Sequence, residues 1–120
     1  MKASELRIGN LVDWNGEIAK VSQILELEVG FKCGESDLTK AIKPIPLTEE
    51  WLLNFGFKKC ENGWKTLSIC NDWTYLSWER LAGIELSVSK HSCMLPNINY
   101  VHQLQNLYFT LTGEELKIKQ

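Results

Sequence analysis

Residues Phe57 to Ser89 read FKKCENGWKTLSICNDWTYLSWERLAGIELSVS. Apolar and polar side chains alternate along this stretch and turn-forming residues interrupt it, the pattern of antiparallel strands joined by tight turns. Parity then selects a register. With Asn71-Asp72 as a two-residue turn, Ile69 faces Thr74, Leu67 faces Leu76 and Lys65 faces Trp78, so that Leu67, Ile69, Leu76 and Trp78 share one side. In the preceding hairpin, a two-residue Asn62-Gly63 loop would set Phe57 opposite Ser68, on the wrong face. A three-residue Glu61-Asn62-Gly63 loop, with Gly63 in the left-handed conformation, sets it opposite Leu67 instead. Ile84, Leu86 and Val88 supply a further strand of the same inward parity. The stretch therefore predicts a four-stranded antiparallel meander with one buried face. Its other face carries Trp64, Thr66, Ser68, Cys70, Trp73, Tyr75, Ser77, Glu85 and Ser87, small and hydroxylated with aromatics at one end.

Helical patterns flank the meander and are its natural cover. Upstream, Thr48 is a good N-cap, Glu49 and Glu50 put negative charge in the first turn, and Leu47 with Leu52 form a hydrophobic staple. Trp51, Leu52 and Phe55 form the buried side of this short helix, and Gly56 ends it. Downstream, NINYVHQLQNLYFTLTGEELKIK (Asn97 to Lys119) places Ile98, Val101, Leu104, Leu107, Tyr108 and Leu111 on one stripe. Pro96 and Asn97 supply a start signal for that helix and Gly113 its C-terminal cap. Beyond it, Leu116 and Ile118 alternate with charged residues, which predicts a short final strand.

The first 45 residues read as β-structure. Leu11 to Trp14 form a strand, Asn15-Gly16 fits a type I′ turn, and the returning strand runs from Glu17 towards Phe31. Ala19, Val21, Leu25, Leu27, Val29 and Phe31 share one parity, Ile18 and Ile24 the other, so this long strand is expected to bend or bulge. Such strands are common in small SH3-like barrels. Pro44 and Pro46 make the segment from Asp37 onward an edge strand leading out of the module. The architecture expected is α+β: an SH3-like β-module over residues 1–45, then helix, four-stranded meander, C-terminal helix and short final strand, forming one compact domain over residues 1–120.

Composition narrows the function. A chain of 120 residues with 44% hydrophobic and 23% charged side chains is ordinary for a soluble globular protein. Net charge is −2 with no basic cluster, which disfavours a phosphate-binding platform. Glu5 and Arg7 fall where a signal peptide needs its apolar stretch, and the least charged segment, His91 to Gly113, carries Asn, Gln and His at helical intervals. A cytoplasmic location in a bacterial host cell, away from the membrane, is expected. Cys33, Cys60, Cys70 and Cys93 form no C-x-x-C pair, so free, buried or half-buried thiols are expected and no metal.

Three segments, ELRIGNLV (Glu5 to Val12), IKPIPLTEEWLLNFGF (Ile42 to Phe57) and YVHQLQNLYFTLTGEEL (Tyr100 to Leu116), together resemble a family of small uncharacterised proteins carried by phages and mobile elements of Bacteroidetes. The resemblance implies a bacterial or phage context. It brings no catalytic residue with it.

Candidate chemistry is sparse. His102, beside the apolar stripe, reads as a helix-flank histidine making an ordinary hydrogen bond. His91 and Cys93 with Cys60 or Cys70 make a weak zinc pattern. No nucleophile elbow, P-loop or dinucleotide motif occurs, so no enzyme, catalytic residue or cofactor is expected. Among the tryptophans, Trp51 and Trp78 read as core, and Trp14 closes the first hairpin or lines the barrel rim. The same register turns Trp73 and Tyr75 outward beside Trp64, where exposed aromatics together suggest an interface. The function expected is a non-enzymatic binding or accessory protein that recognises a protein partner or itself. The alternative is a nucleic-acid-binding factor using the SH3-like module, with Lys20, Lys32, Lys40 and Lys43 converging.

Overall fold

The computed structural model describes residues 1, 3–25, 28–31, 35–38, 41–69, 73–95 and 97–118. The chain is a mixed α+β protein whose paired strands are antiparallel. Its elements are β1 (Leu11–Trp14), β2 (Glu17–Ile24), β3 (Glu28–Phe31), β4 (Ser36–Leu38), β5 (Ile42–Lys43), α1 (Glu49–Asn54), β6 (Lys58–Lys59), β7 (Lys65–Ser68), β8 (Thr74–Glu79), β9 (Gly83–Val88), β10 (His91–Leu95) and α2 (Val101–Thr112). Two compact units result: Met1–Pro46 with Tyr100–Leu107, and Leu47–Asn99 with Tyr108–Gln120. No helix among the described residues is long and apolar enough to cross a membrane.

The first unit is built on a sheet of order β4-β3-β2-β1-β5. Trp14 pairs with Glu17, and Asn15 and Gly16 between them both take positive φ, 56° and 84°, as a type I′ turn requires. The single long strand expected from Glu17 to Phe31 is instead two: β2 stops at Ile24 and β3 returns antiparallel, with Leu25 N–H donating to Glu28 O at 2.8 Å. Leu27 lies outside the described residues. The mixed parity has a local cause. Register shifts between Val21 and Gln23, and this bulge lets odd-numbered Val21 and even-numbered Ile24 both reach the core. Leu6, Val12, Val21, Val29, Phe31 and Ile42 fill that core. Trp14 stacks on Phe31 with ring centroids 4.3 Å apart, and its indole N–H donates to Asp37 Oδ2 at 2.9 Å.

The first two turns of α2 complete this unit. Pro46 bridges to Tyr100, Val101 N–H donates to Ile45 O, and Val101 and Leu104 have no exposed surface. The helix begins at Val101, later than Pro96-Asn97 suggests, because Gln103 reaches back to accept the Tyr100 N–H at 3.1 Å, one half of a capping box. Its buried face is also more polar than its apolar stripe predicts: His102 and Gln105 are each 3% exposed.

Amide side chains explain part of that polarity. Gln105 Oε1 accepts from Leu11 N–H at 2.8 Å, and Gln105 Nε2 donates to Gly9 O at 3.3 Å. Fully buried Asn10 accepts the Arg7 N–H through Oδ1 and donates through Nδ2 to Asn106 Oδ1, at 2.6 and 2.8 Å. Asn106 Oδ1 also takes Arg7 Nη1 at 2.7 Å, and Asn106 Nδ2 donates to Glu5 O. Buried backbone groups in the loop before β1 thus find their partners on a helix almost a hundred residues later in the chain.

In the second unit, Thr48 caps α1 and accepts from Trp51 N–H. At the other end Phe57 N–H reaches Leu52 O and Gly56 N–H reaches Leu53 O, both at 3.0 Å, with Gly56 at φ 98°. This is a Schellman motif, and it brings buried Leu52 and Phe57 to the positions whose apolar contact accompanies such caps. The second sheet has the order β10-β9-β8-β7-β6. Leu67 pairs with Leu76 and Lys65 with Trp78, while Ile69 N–H bonds Thr74 O. Lys58 pairs with Thr66 and Lys59 with Lys65, the register of a three-residue loop, and Gly63 stands at φ 87°. Asn71 and Asp72 lie outside the described residues.

Two expectations need correction. The sheet has five strands, not four: His91–Leu95 form β10, which lacks alternating polarity because it is exposed on both faces. The short final strand is absent among the described residues. Leu116 is buried and Ile118 is 45% exposed, so the segment is held by one apolar anchor and pairs with no strand among the described residues. Gly113, at φ 75°, does end α2, its N–H donating to Phe109 O.

Candidate functional site

Strand alternation sends Ile69, Leu76, Trp78 and Ile84 to the buried side of the second sheet, each under 10% exposed. The opposite parity forms a concave surface of ≈ 410 Å³, lined by Cys60, Asn62, Trp64, Thr66, Ser68, Tyr75, Ser77, Glu85 and Ser87. Trp64 and Tyr75 are half-buried in it. The Asn62 side chain fixes its rim by accepting the Trp64 N–H at 3.2 Å. The side chains of Ser68, Tyr75, Ser77, Glu85 and Ser87 make no hydrogen bond within the described chain. Ser77 and Ser87 are themselves buried, at 7% and 5% exposed, whereas Ser68, Tyr75 and Glu85 present oxygens that can each gain a partner without giving one up, which equips this surface to bind. Among the described residues of the lining, Glu85 alone is charged.

Trp73 lies just before β8, is 70% exposed, and accepts the Ser89 N–H on its carbonyl at 2.7 Å. It stands outside the trough lining, so the three candidate aromatics divide into Trp64 and Tyr75 within the concavity and Trp73 beyond it.

Other candidates are dispersed. Cys60 and Cys93 are exposed free thiols, not buried ones, and Cys33 and Cys70 lie outside the described residues. Cys60 follows β6 while His91 and Cys93 sit on β10, the two opposite edges of the sheet. Four strand spacings separate those edges by about 19 Å, too far to share a metal ion. Among the described residues no three His, Cys, Asp or Glu side chains converge on a metal-sized site. Lys20 and Lys43 are exposed in the first unit, opposite Leu11 and Asp13 respectively, and Lys32 and Lys40 lie outside the described residues.

Two buried ionisable groups carry more information. His102 does not make the ordinary hydrogen bond expected of it at Nδ1, which is buried without a partner. Burial pushes its pKa down, with the Glu5 carboxylate opposing, and its ring stacks with Tyr100 at 6.1 Å. Lys65 points to the inner face of its sheet and is 7% exposed. Its ammonium lies 3.3 Å from Glu49 Oε1 and 5.3 Å from the centroid of the Trp78 ring. The hydrogen bond and charge of Lys65 hold the Glu49 carboxyl below its ordinary pKa. Sequence parity placed Lys65 opposite Trp78 but contained no sign that Glu49 would meet it.

No family model matches the chain, and neither a curated protein nor a solved structure is significantly similar to it.

Proposed function

We propose that this protein is a non-enzymatic binding module that engages a protein partner through the outer face of its second sheet. The observation that carries the reading is the trough itself: Trp64 and Tyr75 line it together with side-chain oxygens that have no partner among the described residues, and Trp73 stands exposed just before β8. Rigid aromatic rings beside small hydroxyls favour protein surfaces, because the rings bury large area at little entropic cost. Catalysis is not part of the reading, since no hydrogen bond links Glu85 to the Ser77 hydroxyl opposite it and no base among the described residues reaches that oxygen. The strand order of the first unit suits an SH3-like barrel, and the sequence pattern suits an accessory protein of a phage or mobile element in a bacterial cytoplasm.

The test is the paired change Trp73→Ala with Tyr75→Ala. It should leave the melting temperature nearly intact, since Trp73 contributes little to folding, and weaken capture of the partner from host lysate by about 2 kcal/mol or more. Unfolding of the variant would make the rings core and remove the surface. A salt titration separates the nucleic-acid alternative, because counterion release makes that affinity fall steeply with salt.

A further inference from the structure

The two edges of the second sheet differ. β6 is two residues long, whereas β10 runs five residues in unbroken register with β9, from His91 opposite Val88 to Leu95 opposite Ile84. Among the described residues no strand lies on its other side, and His91, Ser92, Cys93 and Met94 are all exposed. Sheets usually blunt so regular an edge with lysine, proline or a bulge. The strand HSCML contains none of these.

The turn decides which backbone groups are open. Val88 and His91 close a two-residue loop, so His91, Cys93 and Leu95 exchange hydrogen bonds with β9. The N–H and C=O groups of Ser92 and Met94 point away from the sheet.

We propose that this edge pairs with β10 of a second copy of the chain, antiparallel about a two-fold axis through Cys93. In that register Ser92 of each copy faces Met94 of the other. These are the two residues with open groups, and each pair exchanges both of its hydrogen bonds. Centring the axis on Ser92 would draw Lys90 into the pairing, and centring it on Met94 would draw in Pro96, which has no N–H. The axis through Cys93 uses the whole strand and neither of them.

A second copy fits better than an extended segment of another protein because a two-fold axis sets like against like. Any charge near the axis would meet itself, and HSCML carries no Asp, Glu, Lys or Arg. Short Ser92 meets long Met94 on one face, and His91 meets Leu95 on the other. On the Cys93 side, Val88 is 47% exposed and Leu86 and Leu95 are half-buried. That partly covered apolar strip would continue across the axis into its own copy.

The inference rests on reading this chain as a protein-binding module, but it uses the edge of the sheet, not its outer face. Trp64, Trp73 and Tyr75 stay intact in the test, so loss of the dimer and loss of partner capture are separate results. Light scattering over about two decades of concentration should show a monomer–dimer equilibrium. Cys93→Lys, at an exposed position, should weaken it by about tenfold or more by opposing two ammonium groups at the axis, while Cys93→Ser should preserve it. A trapping measurement on the unaltered chain is independent of these variants. Facing residues of a non-hydrogen-bonded pair have Cα atoms about 4.5 Å apart, inside the disulfide range of roughly 4.4–6.8 Å. Diamide, which takes two electrons and two protons from a thiol pair and becomes the hydrazine, should therefore link Cys93 to Cys93 first. Peptide mapping would identify the link. A monomer at every concentration, a dimer indifferent to Cys93→Lys, or links made chiefly through exposed Cys60 would each overturn the proposal.

Discussion

Asn10→Ala tests whether the amide network holds the first unit together. Asn10 has no exposed surface, and its side chain serves Arg7 N–H at 2.6 Å and Asn106 Oδ1 at 2.8 Å. Truncation leaves that N–H without an acceptor and opens a small cavity. An orphaned buried polar group costs about 1–3 kcal/mol, and the lost packing adds to it, so a total of roughly 2–4 kcal/mol is expected. Asn106→Ala alone should cost somewhat less, because Asn106 is only half-buried. The two changes share one hydrogen bond, so their sum should exceed the double variant by about 1 kcal/mol. Urea denaturation provides the measurement. Trp14 is the single tryptophan of Met1–Pro46, whereas Trp51, Trp64, Trp73 and Trp78 report on the second unit. Variants at Trp51, Trp64 and Trp78 would assign the fluorescence change to one unit before any two-state fit is made. Full additivity of Asn10→Ala and Asn106→Ala would refute the network, and a cost within measurement error would show that Asn10 is not buried as described.

Three further outcomes follow from particular residues. Leu104 has no exposed surface, so Leu104→Ala should cost on the order of 2–5 kcal/mol in the same denaturation assay. His102 is held neutral by burial: the unfolded chain takes up its proton near pH 6.5 and the folded chain only at lower pH. Between those values the unfolded state binds more protons, so stability should be full above about pH 6.5 and fall as the pH drops below it. A His102→Leu variant should flatten that decline in urea midpoints taken across the range, and an unchanged slope would assign the acid sensitivity elsewhere. Glu49→Gln should lower the melting temperature by leaving the Lys65 ammonium without its carboxylate, and adding Lys65→Met should restore part of the loss.

Where a side chain's role depended on parity or on a cap, sequence was a sufficient guide. Leu67 opposite Leu76, Gly63 in the left-handed position and Thr48 at the head of α1 all follow from rules that act over a few residues. Three features needed information from distant chain. Leu116 and Ile118 alternate like a strand, but alternation does not supply a neighbouring edge. β10 gives no strand signal in sequence because a strand open on both faces has no reason to alternate. Gln105 and Asn106 look like the solvated face of a helix, and only the loop at Gly9 and Asn10 shows why amides are needed there. The trough was partly legible: its residues share one parity in sequence, but their concavity and their lack of internal partners did not follow from it.

The division of labour along the chain bears on where function should be sought. In ELRIGNLV and YVHQLQN, Arg7, Asn10, Gln105 and Asn106 are occupied with one another and with the intervening backbone. In PIPLTEEWLLNFGF, Thr48, Leu52, Gly56 and Phe57 are occupied with starting and stopping α1. Groups committed in this way cannot be lent to a ligand without loss of stability, because breaking a buried hydrogen bond costs more than an exposed replacement returns. Among the described residues, the stretch from Cys60 to Leu95 carries groups without such commitments: side-chain oxygens of the trough, the rings of Trp64 and Tyr75, and the edge of β10. Substitutions there should therefore move binding before they move stability, and those at Asn10, Gln105 or Leu52 should do the reverse. A set of variants ranked by both measurements would decide the point. If Tyr75 or Ser68 variants lost stability in proportion to binding, the trough would be part of the core and binding would not be separable from stability.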